Sequence, residues 1–324
     1  MISWGISAAG HNAALAVFDN NKLVFASESE RFSKIKNDPD LDLDLISYAK
    51  RFGSPDVVHW YETPWKKTVR QVFAGQGFQP FKVSHYLSRY GITAPIKTAE
   101  HHHSHAAAGY YTSKFDEACV IVMDAIGESQ TLSIWRAQGN NLKLVYDLHY
   151  PNSIGLWYSA MTQRCGLKPN EEEYILMGMA ALGDPKRLFN DIMNDFIDLS
   201  DLVNFKENLH RGCKWWRPDL NTEQDLYDIA AATQSVYETL LFNILVYARG
   251  KVNSRNLVFM GGCALNCSAN RLLFNHFDNV WIMPAPGDNG SSIGAVLAHK
   301  KEHIEWPGVY LGYDIGYKSS NEEI

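Results

Sequence analysis

The sequence predicts an α/β protein that is built from a duplicated unit. A strand followed by a β-hairpin occupies residues 2–29, and the same order of strands and turns recurs at residues 118–150. Later in the chain, apolar strand-like runs end in glycine-rich turns that lead into helical segments, which is typical of α/β architecture. The recurrence of one pattern at a wide separation indicates a tandem duplication.

The first copy consists of three predicted strands that are joined by polar turns. The pair Asn20-Asn21 between the second and third strands is a typical hairpin turn, because asparagine tolerates a positive φ. Two amphipathic stretches that follow favour helices. The strands are predicted at 2–9, 13–19 and 23–29, and the helices at 42–52 and 65–73.

The second copy repeats the three strands and continues into a longer α/β segment. Its longest helix is predicted to end before Gly250, because glycine commonly follows the last turn of a helix. The polar stretch 198–222 is predicted to be an insertion loop. The strands are predicted at 118–124, 131–137, 142–150, 256–262 and 279–285, and the helices at 223–249, 264–275 and 291–300.

The length of 324 residues is sufficient for two lobes. We place the first lobe, which includes a histidine-rich helix, at residues 1–115. The second lobe is placed at residues 116–324 and ends in a linker-like tail.

Composition narrows the class of protein. A net charge of −6 gives no overall basic footprint of the kind that nucleic-acid-binding proteins show. The five cysteines form no CxxC pair, which suits a reducing compartment. The N-terminus lacks the basic region of a signal peptide, and no apolar run reaches the roughly 18 residues that span a bilayer. We therefore expect a cytoplasmic protein without membrane contact.

A run of histidines and alanines at residues 100–108 predicts half of a metal site. Alanine favours a helix, in which His101 and His105 share one face. Two imidazole nitrogens at this spacing can bind one cation at about 2.0–2.1 Å. His102 and His103 point elsewhere on such a helix. Two ligands do not make a site, so a histidine-rich surface turn is the alternative.

Two aspartates are candidates to complete the ligand set. Asp124 and Asp288 each come just after a predicted strand, in loops that a duplicated fold would place at its cleft. An aspartate at such a position can also be a turn former or a helix cap. Together with the two histidines they give two nitrogens and two oxygens, which suits Zn²⁺ or Fe²⁺ better than Mg²⁺.

Glycine-rich turns follow four of the predicted strands. Their backbone N–H groups can approach an anion closely, and four of them in a duplicated frame favour a phosphate-bearing ligand between two lobes. Ordinary strand-end turns are the alternative. His11 lies in the first of these turns, where an imidazole with a pKa near 6.5 could serve as a general base. The turns lie at Gly10, Gly127, Gly261-Gly262 and 287–290.

Eight sequence blocks, in chain order, are GISAAGHNAALAVF, ESERFSKIKND, EHHHSHAAAGYY, VMDAIGES, SIGLWYSAMTQRCG, ILMGMAALGDP, FMGGCALNCSAN and PAPGDNGSSIGA. Together they span nearly the whole chain. In this order the chain resembles the amino-terminal domain of the O-carbamoyltransferases of antibiotic and nodulation-factor pathways, which is related to the tRNA threonylcarbamoyl-transferase subunit.

The resemblance implies a fold and a reaction. The fold would be the duplicated, two-lobed fold of actin, hexokinase and Hsp70, which is ribonuclease H-like. The reaction would transfer a carbamoyl group from carbamoyl-adenylate, made from ATP and carbamoyl phosphate, to a hydroxyl group. The acceptor would be a small molecule, a sugar, or a nucleoside, nucleobase or nucleic acid.

The resemblance also implies roles for particular residues. It places iron, with Zn²⁺ or Mn²⁺ as alternatives, at His101, His105, Asp124 and Asp288. It makes His11 the catalytic base. Lys36, Asn12 and Gly178 would bind substrate, and Gly127, Gly261, Gly262 and Asn266 would line the nucleotide side.

Members of this family usually continue into a domain that makes carbamoyl-adenylate. Residues 310–324 resemble the linker to that domain, so we expect a C-terminal region or another polypeptide to supply the activation. Two alternatives stay open on the residues alone. A metal-dependent hydrolase could use the same ligands to activate water, and a nucleotide-binding regulatory module could have this fold without catalysis.

Overall fold

The computed structural model of the protein describes residues 1–198 and 200–313. Two five-stranded mixed sheets form its framework. The first contains β1 (Ile2–Ser7), β2 (Ala14–Asp19), β3 (Lys22–Glu28), β4 (Val57–Trp60) and β5 (Ile96–Thr98). The second contains β6 (Glu117–Met123), β7 (Gln130–Gln138), β8 (Asn141–His149), β11 (Asn256–Met260) and β12 (Asn279–Trp281). A small separate sheet pairs β9 (Ile197–Asp198) with β10 (Asn204–Phe205).

The two large sheets have the same topology. The strand order is β3-β2-β1-β4-β5 in the first and β8-β7-β6-β11-β12 in the second. In each sheet, the first strand pairs with the next strand in antiparallel orientation and with a later strand in parallel orientation. In the first sheet, β1 is antiparallel to β2 and parallel to β4. The strand β6 has the same relation to β7 and β11. The predicted duplicated α/β fold is therefore confirmed.

Helices cover both sheets and fill the layer between them. Those of the first half are α1 (Glu30–Ser33), α2 (Leu43–Ala49), α3 (Pro64–Phe73), α4 (Val83–Ser88) and α5 (His101–Thr112). Those of the second half are α6 (Ile154–Arg164), α7 (Glu173–Met179), α8 (Pro185–Phe196), α9 (Glu223–Lys251), α10 (Cys267–Asn270) and α11 (Ser291–Lys300).

The helices α5 and α11 pack against each other in the layer between the sheets. The helix α11 lies on β1, while α5 lies on β6 and β11. Small residues permit this close approach, because a Cβ atom on Gly294 would clash with the carbonyl oxygen of Ser104. One apolar cluster runs through the layer and includes Phe18 of the first sheet and Val120 of the second. The two halves therefore share a core.

The outer faces of the sheets carry two further apolar clusters. The helices α2 and α4 cover the first sheet, and α6, α8 and α9 cover the second. By length and composition α9 could cross a bilayer, so the expectation that no such stretch exists is wrong on that criterion. However, 67% of its apolar 18-residue window is buried inside the protein, as in the core helix of a globular fold.

The structure corrects four details of the predicted elements. The helix predicted at 264–275 is broken into α10 and two flanking 3₁₀ turns, because the chain bends at Asn266, whose side chain accepts from the Ala269 N–H. The strand predicted at 279–285 ends at Trp281. The helix α9 continues through Gly250 to Lys251. The segment 198–222 is more than a loop, since its Cys213 and Trp216 are buried in the core.

The lobe boundary at residues 115–116 stays a prediction. The strands of the first sheet precede it and those of the second follow it, whereas α11 packs against the first sheet. Most of the predicted linker-like tail, from residue 314 onward, lies outside the described residues.

We expect Gly294→Ala to destabilise the protein by about 1–3 kcal/mol, because the added methyl group must push α5 and α11 apart. Chemical denaturation of the two proteins measures this difference. The control is Gly250→Ala, where nothing lies within 4 Å of the added atom. That substitution should be neutral or stabilising by up to about 1 kcal/mol, since alanine is the better helix former. Equal stability of the two variants would contradict the close packing described here.

Candidate metal centre and its cavity

The helix α5 brings two histidines to one point. The imidazole rings of His101 and His105 are 4.8 Å apart, and their Nε2 atoms are separated by 3.1 Å. Both residues are buried, at 3% and 0% exposure. The rings share one face of the helix, as the four-residue spacing predicts.

His102 and His103, which lie between these two residues in the chain, face other parts of the protein. The Nδ1 atom of His102 lies 2.8 Å from the hydroxyl of Ser133. The ring of His103 stacks on Trp135 at 5.4 Å. Neither residue belongs to the group of converging side chains.

Two aspartates from distant parts of the chain complete the cluster. Asp124 directly follows β6, and its Oδ2 lies 3.2 Å from Nε2 of His101 and 3.3 Å from Nε2 of His105. Asp288 lies in the turn before α11, and its Oδ1 lies 3.3 Å and 3.2 Å from the same two nitrogens. The N–H groups of Ala125 and Gly262 donate to Oδ1 of Asp124, which leaves Oδ2 directed at the histidines.

The geometry of the four side chains fits a divalent cation. Their ligand atoms all lie within 4.8 Å of one another. Neighbouring ligand atoms bound at roughly 2.0–2.2 Å from a common ion would be separated by roughly 2.8–3.6 Å, which covers the 3.1–3.3 Å observed between the two histidine nitrogens and between each of them and each aspartate oxygen. The donor set of two imidazoles and two carboxylates suits Fe²⁺, Zn²⁺ or Mn²⁺.

The electrostatics of the cluster favour positive charge. Burial alone would lower the pKa of His101, but Asp288 and Asp124 raise it well above 6.5. Burial alone would raise the pKa of Asp124, but hydrogen bonds from His101 and His105 hold it well below its usual range. Two carboxylates in a buried site are costly unless a cation or protonated imidazoles compensate them.

A cavity of about 300 Å³ adjoins the cluster. Asp124 and Asp288 form part of its wall, so ligands in the cavity can reach the candidate metal position. Several predicted site residues also line it, namely His11, Asn12, Gly262 and Asn266. The fold thus brings together residues that are up to 277 positions apart, from His11 to Asp288.

The amide of Asn266 is held by protein contacts. It exchanges hydrogen bonds with the side chain of Gln234, and its Oδ1 also accepts from the N–H of Ala269. His11, by contrast, is exposed at the cavity.

The other predicted residues lie outside the cavity lining. Lys36 places its ammonium 4.8 Å from the ring centre of Tyr174, which does line the cavity. Gly127 lies against the ring of His101, and Gly261 packs on the backbone of Met123. Gly178 is exposed. Direct contact of these residues with a ligand stays a prediction.

Sequence reasoning missed one wall of the cavity. This wall comes from α6, the connection to α7, α7 itself and α9, where glutamates in the run 171–173 resemble an ordinary charged surface. The only available signal was the pair of sequence blocks that contain most of α6 and α7. The missed residues are Tyr158, Ser159, Asn170, Glu171, Glu173, Tyr174, Met177 and Tyr237.

Comparisons with known proteins show the family of the chain. Residues 65–297 match the family model described as the carbamoyltransferase N-terminus. An uncharacterized protein of Synechocystis sp. is 32% identical over 99% of this chain and 61% of its own length. The 3'-hydroxymethylcephem-O-carbamoyltransferase of Amycolatopsis lactamdurans is 22% identical over 94% of this chain and 62% of its own length. The chain thus spans less than two thirds of these relatives.

Among solved structures, full-length HypF in its phosphate- and nucleotide-bound form shares the fold. It aligns over 93% of this chain and 46% of HypF, with a TM-score of 0.56 and 13% sequence identity. At this identity the likeness supports the architecture alone.

We expect His101→Ala and Asp288→Ala to abolish stable binding of a divalent metal, because each removes one of four converging ligand atoms. Elemental analysis after metal loading and desalting measures the bound ion. His103→Ala is the matched control, since this residue lies on the same helix but stacks on Trp135. Full metal content in both ligand variants would show that the cluster is not the site.

Proposed function

Because the chain belongs to the carbamoyltransferase N-terminus family, we propose that it transfers a carbamoyl group from carbamoyl-adenylate to a hydroxyl group. The observation that carries this proposal is the shared cavity, in which the candidate metal ligands Asp124 and Asp288 meet His11. The acceptor would be a small molecule, a sugar, or a nucleoside or nucleobase. The O-carbamoyl transfer named for the cephem relatives supports a hydroxyl acceptor.

The metal centre would act on the donor. His101, His105, Asp124 and Asp288 would hold Fe²⁺, with Zn²⁺ or Mn²⁺ as alternatives. When bound, such an ion supplies Lewis acidity toward the carbonyl or phosphate oxygens of the donor.

The chain's own residues would position the reactants and move the proton. The acceptor oxygen would attack the carbamoyl carbon. The bond between this carbon and the phosphate oxygen of the donor would break, and AMP would leave. The acceptor's proton passes to an imidazole nitrogen of His11, which is exposed to the cavity. Asn12, the next residue in the chain, also lines the cavity and would bind substrate.

The nucleotide side would be formed by the second half of the chain. Gly262 and Asn266 line the cavity next to Asp124 and would lie beside the nucleotide. Lys36, held over Tyr174 at the rim, would contribute positive charge toward the carbamoyl group or the acceptor. Gly127, Gly178 and Gly261 would allow close approach of the backbone.

The activated donor would come from outside these residues. We place the formation of carbamoyl-adenylate from ATP and carbamoyl phosphate in a C-terminal region or in a second polypeptide.

The direct test supplies synthetic carbamoyl-adenylate to the metal-loaded protein, with and without a panel of alcohols. Mass spectrometry should detect a carbamate of an acceptor, together with AMP. Release of AMP at the same rate with and without acceptors, and without a carbamate product, would indicate a metal-dependent hydrolase. Absence of any turnover would favour a nucleotide-binding module without catalysis.

We expect His11→Ala to slow carbamoyl transfer by about 10²–10⁴-fold, the usual contribution of a general base. Metal content should be unchanged, since His11 is not among the four converging ligands. The control is His85→Ala, which alters an exposed histidine on α4 outside the cavity lining. Retention of most of the wild-type rate in His11→Ala would contradict its role as the base.

A further inference from the structure

Among the described residues, the two histidines of the cluster have no protein partner at their second ring nitrogen. In proteins the second ring nitrogen of such a histidine commonly donates to a carboxylate, a carbonyl or water, which fixes the ring. Across residues 1–198 and 200–313, neither Nδ1 of His101 nor Nδ1 of His105 has a hydrogen-bond partner. The position of these rings therefore depends on their packing and on the backbone that carries them.

The backbone at His101 is held by a carboxylate from another part of the chain. The N-cap residue of α5, Glu100, makes no side-chain hydrogen bond to the helix and is paired with Lys66. Instead, both carboxylate oxygens of Glu128 accept from the N–H of His101, at 3.1 and 3.0 Å. The first N–H groups of a helix lack partners within it, and a negative charge at this end is favourable.

Glu128 is itself firmly held. It is 3% exposed, and its Oε1 accepts from the N–H of Thr63 at 2.6 Å. Its carbonyl oxygen accepts from Nε of Arg70 at 3.2 Å, which ties the β6–β7 turn to α3. Contacts with Thr63 and Arg70 therefore hold Glu128 in addition to its hydrogen bonds with α5.

The same turn also contacts the imidazole of His101. A Cβ atom on Gly127 would lie 3.1 Å from the ring, so the glycine backbone lies directly against it. The turn is closed by a 2.8 Å hydrogen bond from the N–H of Gly127 to the carbonyl of Gln130. It begins at Asp124, which supplies an oxygen to the cluster. The β6–β7 turn therefore supplies one candidate ligand, Asp124, and contacts both the ring and the backbone N–H of another, His101.

We propose that Glu128 is a positioning residue of the metal centre. By binding the N–H of His101 it fixes the first turn of α5, and so it sets the distance between Nε2 of His101 and Oδ2 of Asp124. This inference rests on the proposed metal centre but not on the identity of the substrates. It predicts that loss of Glu128 weakens metal binding although all four ligands remain.

The test measures Co²⁺ affinity by titration, followed through the visible absorption of the bound ion. Outer partners of metal ligands typically contribute 10–100-fold to affinity. We expect Glu128→Ala to bind Co²⁺ up to about 100-fold more weakly than the wild type. The Co²⁺ affinity of Glu128→Gln should fall about tenfold. The amide oxygen of glutamine keeps one acceptor for the His101 N–H, whereas its NH₂ group is a donor that opposes this N–H.

Asp228→Asn is the matched control. Asp228 is a buried carboxylate, 4% exposed, that accepts from the N–H of Asp184, from Arg187 and from Gln224. It contacts none of the four candidate ligands, so this variant should lose stability without losing Co²⁺ affinity. Chemical denaturation of each metal-free protein separates the two effects.

Three results would overturn the proposal. If both Glu128 variants bind Co²⁺ as the wild type does, Glu128 is only a helix cap. If they lose affinity no more than Asp228→Asn at equal loss of stability, the effect is general destabilisation. Should Glu128→Ala fail to fold, the milder Glu128→Gln variant decides. A wild-type protein that binds no divalent metal would overturn the metal centre as well, which distinguishes the two failures.

Discussion

The close contact between α5 and α11 is the constraint on which the site depends. The helix α5 carries both histidines, and the turn before α11 carries Asp288, so their separation follows from how these helices pack. Gly294 lies against the backbone of Ser104, where no larger residue fits. The packing of α5 against α11 therefore sets the distances between the candidate metal ligands.

The four buried polar side chains of the cluster compensate one another's charges. In the protein alone, the two carboxylates raise the pKa of His101 and His105 against the effect of burial, and the imidazoles lower the pKa of Asp124 and Asp288. A divalent cation supplies the same positive charge and satisfies all four ligand atoms at once. Metal binding then displaces protons from the imidazoles, as it must when neutral histidine is the ligand.

Local patterns in the sequence predicted the antiparallel parts of both sheets and the histidine pair, because alternation and four-residue spacing are local signals. The short parallel strands at Val57–Trp60 and Ile96–Thr98 were missed, since their pairing is set by contacts with β1 and with each other. Asp124 and Asp288 were predicted from their positions after strands. The wall formed by Glu173 and its neighbours, and the contact from Glu128 to His101, depend on the tertiary fold and carry no local signature.

The candidate ligands come from parts of the molecule that are far apart in the chain. Asp124 extends from the second sheet, whereas Asp288 precedes a helix that lies on the first. An ion bound by both would add a cross-link between elements of the two sheets to the apolar core that the two halves already share.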